Sequence, residues 1–198
     1  MRIIGLCGGS GSGKTTVAKL FLGCGFEYVN ADEVYHDLLS RKSDCYKELI
    51  SEFGEDILDS DGAIDRKRLG KIVFAYGADE KLRRLNEISH YYVLAEIDKI
   101  ASQKSSDSNL LVDAPLLFES GLSEKCHSII AVIADKKVRI ERIMARDGID
   151  FNSAEMRISK QIDDDFLKKN ADFIIVNNGN PSELQAKVTE IAEKIKAH

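Results

Sequence analysis

One short segment of this chain combines glycines, a lysine and hydroxyl groups at a spacing that binds phosphate. The segment Gly8-Gly9-Ser10-Gly11-Ser12-Gly13-Lys14-Thr15 fits the pattern G-x-x-x-x-G-K-[ST]. It follows an apolar run, Arg2–Cys7, that suits a buried strand, and it precedes residues 16–22, whose apolar positions have helical spacing. Glycines let backbone N–H groups turn toward a phosphate, and the helix adds the positive end of its dipole. Because Lys14 can reach the β- and γ-phosphates and the Thr15 hydroxyl can bind Mg²⁺, the segment predicts nucleoside triphosphate binding.

Two aspartates follow predicted strands and could carry chemistry. Asp32 comes just after the short apolar run at residues 27–29, where a carboxylate can accept the proton of an attacking hydroxyl. Asp32 could equally be the N-cap of the next helix. Asp113 ends another apolar run and is placed to hold Mg²⁺, and the alternative is a helix cap before Pro115.

A basic helix face is predicted from three arginines. Arg139, Arg142 and Arg146 recur at i, i+3 and i+7, and Arg157 and Lys160 add a second basic pair. Such a face is often simply solvated. In a chain of negative net charge the cluster is better explained as a lid whose guanidinium groups neutralise triphosphate charge. The spacing does not show which arginine enters the site.

The elements that must position these residues alternate between strands and helices. Further apolar runs at residues 109–113, 128–133 and 173–176 predict buried strands, and Pro181 opens a C-terminal helix. Residues from about 41 to 105 are predicted to be helical apart from turns at 60–62 and 76–78. This alternation predicts an α/β fold with a parallel sheet flanked by helices, with ligands at the carboxyl ends of the strands.

Composition limits the class of protein. The 198 residues are 43% hydrophobic, which suits one compact domain with appended subdomains, and the net charge of −5 argues against a nucleic-acid binder. The four cysteines have no paired spacing, and free thiols suit a reducing cytosol. Because the sequence carries neither a signal-peptide pattern nor an apolar run near 18 residues, we expect a cytoplasmic protein without membrane partners.

Taken together, these segments resemble the dephospho-CoA kinase family almost from end to end. The first loop is similar, and Asn30-Ala31-Asp32 resembles an Asp-Ala-Asp element of the family. The most diagnostic string is Asp113-Ala114-Pro115-Leu116-Leu117-Phe118-Glu119, and residues 171–179 resemble the last strand and the loop near adenine. The chain departs from the family pattern at Asn30, at Tyr91, where proline is usual, and at Val176, where aspartate is common.

The resemblance implies ATP-dependent phosphorylation of the ribose 3′-hydroxyl of dephospho-CoA, with Mg²⁺ bridging the β- and γ-phosphates. It implies that Asp32 is the base. By themselves His36 and His90 are lone histidines for which a structural or surface role is favoured. The expected site comprises catalytic Lys14, Asp32, Arg139 and Arg142; ATP-binding Gly11, Ser12, Gly13, Lys14, Thr15, Thr16 and Asn177; acceptor-binding Asp32, His36, His90, Leu116 and Phe118; and metal-binding Thr15 and Asp113.

The same resemblance implies a division of the chain into five segments. We expect a P-loop NTPase-type nucleotide-binding core in residues 1–40, 106–138 and 171–198. A helical acceptor-binding insert is expected at 41–105 and a helical lid at 139–170. Most connections between elements are about 2–6 residues long, so an insert of that size favours a role in recognition over a purely structural cap.

Two other functions are alternatives to this prediction. A related kinase could use a nucleotide or another small alcohol as acceptor. That function would leave unexplained the resemblance of residues 61–66 and 85–90 to the family's helical acceptor domain. A GTP-driven switch protein would need an Asn-Lys-x-Asp guanine signature, and Lys169-Asn170-Ala171-Asp172 has the wrong order. The sequence therefore favours the kinase of dephospho-CoA.

Overall fold

The computed structural model describes residues 1–40 and 43–197 and contains a five-stranded β-sheet. The strands are β1 (Arg2–Cys7), β2 (Glu27–Asn30), β3 (Asn109–Asp113), β4 (Ser128–Ile133) and β5 (Phe173–Val176), in the order β2-β3-β1-β4-β5. Strand β1 pairs in parallel with both β3 and β4, and β4 pairs in parallel with β5. The predicted parallel α/β sheet is confirmed, because each apolar run forms a strand.

Helices join and flank the strands. They are α1 (Lys14–Gly23), α2 (Ala31–Leu38), α3 (Asp44–Phe53), α4 (Arg66–Val73), α5 (Asp79–Ser102), α6 (Lys136–Asp147), α7 (Phe151–Ser159), α8 (Asp164–Asn170) and α9 (Pro181–Ala197). The chain divides into two compact units. We call Met1–Val29 with Lys104–His198 the sheet unit, and Asn30–Gln103 the helical unit.

The core of the sheet unit is formed by the strands together with α1 and α9. Ile4, Leu6 and Ile130 of the strands are fully buried, and Phe21 of α1 and Val188 of α9 pack with them. The register pairs Leu6 with both Asp113 and Ile130, so that the carboxyl ends of β1, β3 and β4 lie side by side. The residues that follow these three strands therefore lie at the same edge of the sheet.

The helical unit has its own apolar core. Helix α5 packs against α2, α3 and α4, and its residue Ile88 is buried with Leu49 of α3 and Leu69 of α4. The predicted apolar stripe of residues 82–100 lies on this long helix, which runs without interruption from 79 to 102. Helical periodicity therefore located the main element of this unit correctly.

Two sequence predictions differ from the structure of this region. Residues 58–65 are not helical: Leu58 and Ile64 form an antiparallel bridge, because the Asp59 carboxylate accepts hydrogen bonds from the N–H groups of Asp61 and Ala63 and fixes a turn. In addition, α2 belongs to the helical unit, which begins at residue 30 instead of 41, because α2 packs on α5. Residues 41 and 42, where the insert was predicted to begin, lie outside the described residues.

Within the described residues, no helix is both long enough and apolar enough to cross a membrane.

Candidate active site

The glycine segment forms a tight loop between β1 and α1, as predicted. Gly11 and Gly13 have φ angles of +77° and +93°, in the left-handed region that favours glycine. At both positions a Cβ atom would also collide with neighbouring atoms: the backbone of Arg139 in one case and the side chain of Asn177 in the other. The two glycines are thus required by backbone conformation and by close packing together. Thr16 and Val17 donate their N–H groups to the Gly13 carbonyl, which fixes the start of α1.

Lys14 and Asp113 meet at the carboxyl edge of the sheet. The Lys14 ammonium donates to the Gly8 carbonyl at 3.1 Å and lies 3.9 Å from Oδ1 of Asp113. Asp113 is only 6% exposed, and its Oδ2 accepts a hydrogen bond from the Tyr28 hydroxyl at 3.3 Å. Since turns follow Asp113 at residues 115–121, the helix-cap alternative for this aspartate is wrong. The arrangement places one fixed positive and one fixed negative charge beside the loop.

Arg139 and Arg142 of α6 hold the loop from outside. The Arg139 Nε donates to the Ser10 carbonyl at 3.0 Å, and the Arg142 Nη1 donates to the Gly11 and Ser12 carbonyls at 3.1 and 3.4 Å. Arg139 is only 4% exposed, so the alternative of a solvated basic face is wrong for this residue. Because these carbonyls are bound outside the loop, the arginines fix its backbone orientation. Contact of either arginine with a transferring phosphate stays a prediction.

Asn177, directly after β5, also supports the phosphate loop. Its side chain is buried and donates from Nδ2 to the Ser12 carbonyl at 2.8 Å. Its own carbonyl accepts from the Arg142 Nη1 at 3.0 Å. The structure therefore joins β5 and α6 to the loop through this residue, whereas the expected role of Asn177 near adenine stays a prediction.

Arg146, the third arginine of the predicted basic face, lies beside a cavity at the phosphate loop. With Arg142 it lines a cavity of about 240 Å³ whose remaining lining is Gly9, Ser10, Gly11, Gly13, Lys14 and Thr15. Its guanidinium pairs with Asp147, and this hydrogen bond is the main reason that the pKa of Asp147 falls to about 2. The i+7 spacing from Arg139 put Arg146 in the basic cluster, but spacing could not show that it faces this cavity.

A second cavity, of about 400 Å³, adjoins the other side of the loop. The predicted acceptor-binding residues Leu116 and Phe118 both line it, together with Gly8, Gly9 and Gln161. Glu119 and Lys160 add one charge of each sign to this lining. Gln161 was missed by the sequence analysis, since it lies in a turn after α7 and belongs to no motif.

The other predicted acceptor-side residues lie in the helical unit. The side chain of Asn30 accepts hydrogen bonds from the N–H groups of Asp32 and Glu33, so Asn30 is the N-cap of α2. The N-cap alternative for Asp32 is therefore wrong, and its exposed carboxylate lies in the first turn of α2. His36 is exposed in the last turn of α2, and His90 is half-buried in α5. Their binding roles stay predictions.

The departures from the family pattern are accommodated locally. Asn30 is the N-cap of α2, a position that Asn fills as well as Asp does. Tyr91 is 67% exposed on a continuous α5, and Val176 is 58% exposed at the end of β5. None of the three alters the loop, Lys14 or Asp113.

A parallel sheet whose first strand leads through a glycine loop into a helix, with a lysine beside a strand-end aspartate, defines a P-loop kinase fold. Comparison with known proteins narrows this class. The sequence model of the dephospho-CoA kinase family matches residues 2–183. The chain belongs to the dephospho-CoA kinase family.

Individual relatives agree with this assignment. A dephospho-CoA kinase of Fusobacterium nucleatum is 42% identical over 193 residues, which cover 98% of each chain. Among solved structures, dephospho-CoA kinase from Campylobacter jejuni aligns with a TM-score of 0.71 at 27% identity, over 98% of this chain and 97% of that one. The structure of TT1252 from Thermus thermophilus aligns with a TM-score of 0.83 at 26% identity, with the same coverage. The resemblance stated from the sequence is confirmed.

Proposed function

We infer that the loop Gly8–Thr15, with Lys14 and Asp113, performs the reaction that family membership gives this chain. That reaction is the ATP-dependent phosphorylation of the ribose 3′-hydroxyl of dephospho-CoA, which yields coenzyme A and ADP. The observation that carries the site assignment is the position of Lys14, whose ammonium lies within 3.9 Å of Asp113 at the carboxyl edge of the sheet. There the lysine can neutralise the β- and γ-phosphates of ATP while the loop N–H groups bind them.

Thr15 and Asp113 would hold the magnesium ion. Both offer hard oxygen donors, the exposed Thr15 hydroxyl at the start of α1 and the Asp113 carboxylate at the end of β3. Two protein oxygens suit Mg²⁺, which in kinases takes most of its other ligands from phosphates and water. When bound, the ion neutralises charge on the β- and γ-phosphate oxygens. The Tyr28 hydroxyl, hydrogen-bonded to Asp113, keeps this carboxylate oriented.

Arg142 and Arg146 would complete the phosphate side. Both line the cavity at the loop, and Arg146 is exposed. A guanidinium group here can neutralise the charge on a phosphoryl group that passes through a loose transition state. Arg139 is assigned instead to holding the loop, since all three of its guanidinium nitrogens are bound, to Ser10, Gln161 and Asp164. The bonds of Arg142 to carbonyls come from Nη1.

Asp32 would act on the acceptor. Its carboxylate is exposed, and it is spared from helix capping because Asn30 has that role. A carboxylate can accept a hydrogen bond from the attacking 3′-hydroxyl and take its proton. Because the transition state is loose, placement of this hydroxyl matters more than the basicity of Asp32. His36 and His90, in the same unit as Asp32, would contact dephospho-CoA.

The protein is also proposed to work in the cytoplasm without nucleic-acid or membrane partners. The support is chemical: all four cysteines are free thiols, which suits a reducing compartment, and the net charge of −5 disfavours binding to nucleic acid.

The direct test of the proposal is ADP release by the purified protein with ATP, Mg²⁺ and dephospho-CoA. We expect ADP and coenzyme A to form in equal amounts, and ADP formation to fall to a trace when the acceptor is omitted. Omission of Mg²⁺, with a chelator present, should also abolish turnover. ADP release at the same rate without the acceptor would mean that the protein is an ATPase.

A panel of acceptors tests the substrate. Adenosine, AMP and shikimate each carry a hydroxyl but lack the pantetheine arm of dephospho-CoA. We expect kcat/KM for dephospho-CoA to exceed that for each of them by at least roughly a hundredfold. An acceptor without the pantetheine arm would leave polar groups of the binding site unpaired, and such a loss discriminates strongly between substrates. Equal use of AMP would favour a nucleotide kinase instead.

A further inference from the structure

Ser10, in the middle of the phosphate loop, has every polar group bound by two side chains from outside the loop. Its N–H donates to the Gln161 Oε1 at 3.0 Å, and its hydroxyl accepts from the Gln161 Nε2 at 3.0 Å. Its carbonyl accepts from the Arg139 Nε at 3.0 Å. We call the side chains of Arg139 and Gln161 the clamp. Since the residue has one N–H, one carbonyl and one hydroxyl, the clamp leaves Ser10 little freedom to rotate.

The chemistry of an amide is what lets Gln161 bind Ser10 at two points. A glutamine side chain carries an acceptor and a donor at its end, and here the acceptor faces an N–H and the donor faces a hydroxyl oxygen. The same Oε1 accepts a second hydrogen bond, from the Arg139 Nη2 at 2.7 Å. Gln161 thus connects the phosphate loop both to Arg139 and to the turn after α7 in which Gln161 lies.

The clamp is held in place from behind and fills space that the loop leaves for it. Arg139 is buried, and its Nη1 lies 3.2 Å from the Asp164 Oδ1 at the start of α8. A Cβ atom at Gly9 would overlap the Arg139 Nη2 and lie 2.7 Å from the Gln161 Oε1. Glycine at position 9 is therefore matched to the clamp.

We propose that Gln161 is a positioning residue that sets the phosphate loop in its ATP-binding shape through Ser10. The inference rests on the proposed function, in which this loop binds the phosphates of ATP. A loop already fixed before binding needs less ordering when the nucleotide arrives, so pre-organisation raises affinity. Gln161 acts through Ser10 and the backbone orientation of the loop. Its loss should change ATP affinity more than the affinity for dephospho-CoA.

The expected size follows from the bonds involved. Gln161→Ala removes two neutral hydrogen bonds to Ser10, each of which is typically worth about a fivefold change in an equilibrium constant. We expect the Kd for a non-hydrolysable ATP analogue (the β,γ-imido compound) and the KM for ATP to rise by about five- to twentyfold. The KM for dephospho-CoA should change by less than about twofold.

A second variant separates positioning from packing. Gln161→Met keeps nearly the same volume but has no amide, so it should weaken ATP binding as much as Gln161→Ala does. If Gln161→Met binds the analogue as tightly as the unaltered protein, Gln161 only fills space and the proposal is overturned. The matched control is Gln185→Ala, which removes a glutamine from the exposed surface of α9 and should leave both KM values unchanged.

A double-mutant cycle tests whether Gln161 works through Ser10. Ser10→Ala removes one of the two groups that Gln161 binds, so Gln161→Ala should weaken analogue binding less in that background than in the unaltered protein. Fully independent, multiplicative effects would overturn the proposal. Amide exchange of residues 9–13 in the absence of nucleotide gives a direct measurement, and it should quicken in Gln161→Ala while α1 and α9 stay protected.

The proposed function and this inference fail in different ways. If the loop does not bind ATP, Lys14→Ala will bind the analogue normally. If the loop binds ATP but Gln161 has no part in it, Lys14→Ala will lose affinity and Gln161→Ala will keep it. Only loss of affinity in both variants supports the two statements together.

Discussion

Two arginines of the sheet unit and two of the helical unit make contrasting contacts. In the sheet unit, Arg139 and Arg142 donate to backbone carbonyls of the phosphate loop. In the helical unit, Arg83 and Arg84 pair with glutamates on the exposed surface of α3 and α5. The side chain of Arg139 is 5% exposed, whereas that of Arg84 is 39% exposed.

The two kinds of contact stabilise different parts of the protein. A guanidinium bound to carbonyls cannot be replaced by water without freeing the loop, because several of its hydrogen bonds are charge-assisted and shielded from solvent. A surface ion pair competes with water at every moment and contributes about 0–1 kcal/mol. Arg139 and Arg142 therefore fix backbone atoms of the phosphate loop. Arg83 and Arg84 instead lie on the surface around a core that apolar packing already stabilises.

The largest effect expected is the loss of turnover in Lys14→Ala. Under the proposed function Lys14 contacts the phosphates of ATP, so kcat should fall by roughly a hundredfold or more, as when one charge-stabilising donor is removed from an active site. The free energy of unfolding should change by less than about 1 kcal/mol. The matched control is Lys19→Ala, on the exposed side of the same helix. Normal turnover in Lys14→Ala would remove the central site assignment.

Next in size is the effect of Asp32→Asn on turnover. Loss of the proton acceptor should lower kcat by about a hundredfold, at the lower end for general-base catalysis, while ATP binding is retained. The control is Glu33→Gln, which changes the neighbouring exposed carboxylate in the same first turn of α2. Equal losses in both variants would indicate that the charge at the helix start matters for stability and that Asp32 has no specific role.

The comparison of arginines is tested by the free energy of unfolding. Arg139→Ala should destabilise the protein by about 2–4 kcal/mol, because it removes a buried side chain and leaves the half-buried Ser10 carbonyl and Asp164 carboxylate without their charged donor. Arg84→Ala should cost less than about 1 kcal/mol, since its partners are exposed glutamates. Urea unfolding with unchanged m-values would measure both. Equal losses would refute the distinction between the two units.

A smaller effect is expected at His90, in the helical unit. If this unit recognises the acceptor, His90→Ala should raise the KM for dephospho-CoA by about five- to tenfold, the value of one or two hydrogen bonds. The KM for ATP in the same variant serves as the control and should stay within about twofold. A change in the KM for ATP alone would place His90 on the nucleotide side.

The smallest effect concerns the reactivity of two buried thiols, one in the core of each unit. Burial raises the pKa of Cys7 in the sheet unit to about 12 and that of Cys45 in the helical unit to about 11. Since iodoacetamide reacts with the thiolate, neither should be labelled at pH 8 in the folded protein. With increasing urea we expect Cys45 to react before Cys7, because the smaller unit buries less of its surface. Labelling of Cys7 first would contradict this order.

Both thiols also make stability depend on pH. A pKa that is raised in the folded state means that the folded protein binds the proton more tightly than the unfolded chain does. The stabilisation is complete below the unfolded value near 9 and is lost as the pH rises toward 11 and 12.

Local sequence patterns determined much of this protein. The glycine segment was recognisable because phosphate binding restricts residue type at consecutive positions, and the apolar runs located the strands within a residue. Helical periodicity likewise located α5. The family resemblance rested on strings of this kind, such as residues 113–119, in which neighbours in the chain are neighbours in the site.

Only the tertiary structure decided which side chains support the loop. Gln161 and Arg139 are separated from Ser10 by more than a hundred residues, and Asn177 reaches Ser12 from the far end of the chain. Their hydrogen bonds exist because β1, β4 and β5 end at the same edge of a parallel sheet. Helical spacing placed Arg139, Arg142 and Arg146 on one face. It could not show that Arg139 and Arg142 bind loop carbonyls while Arg142 and Arg146 line a cavity, since that depends on how α6 packs.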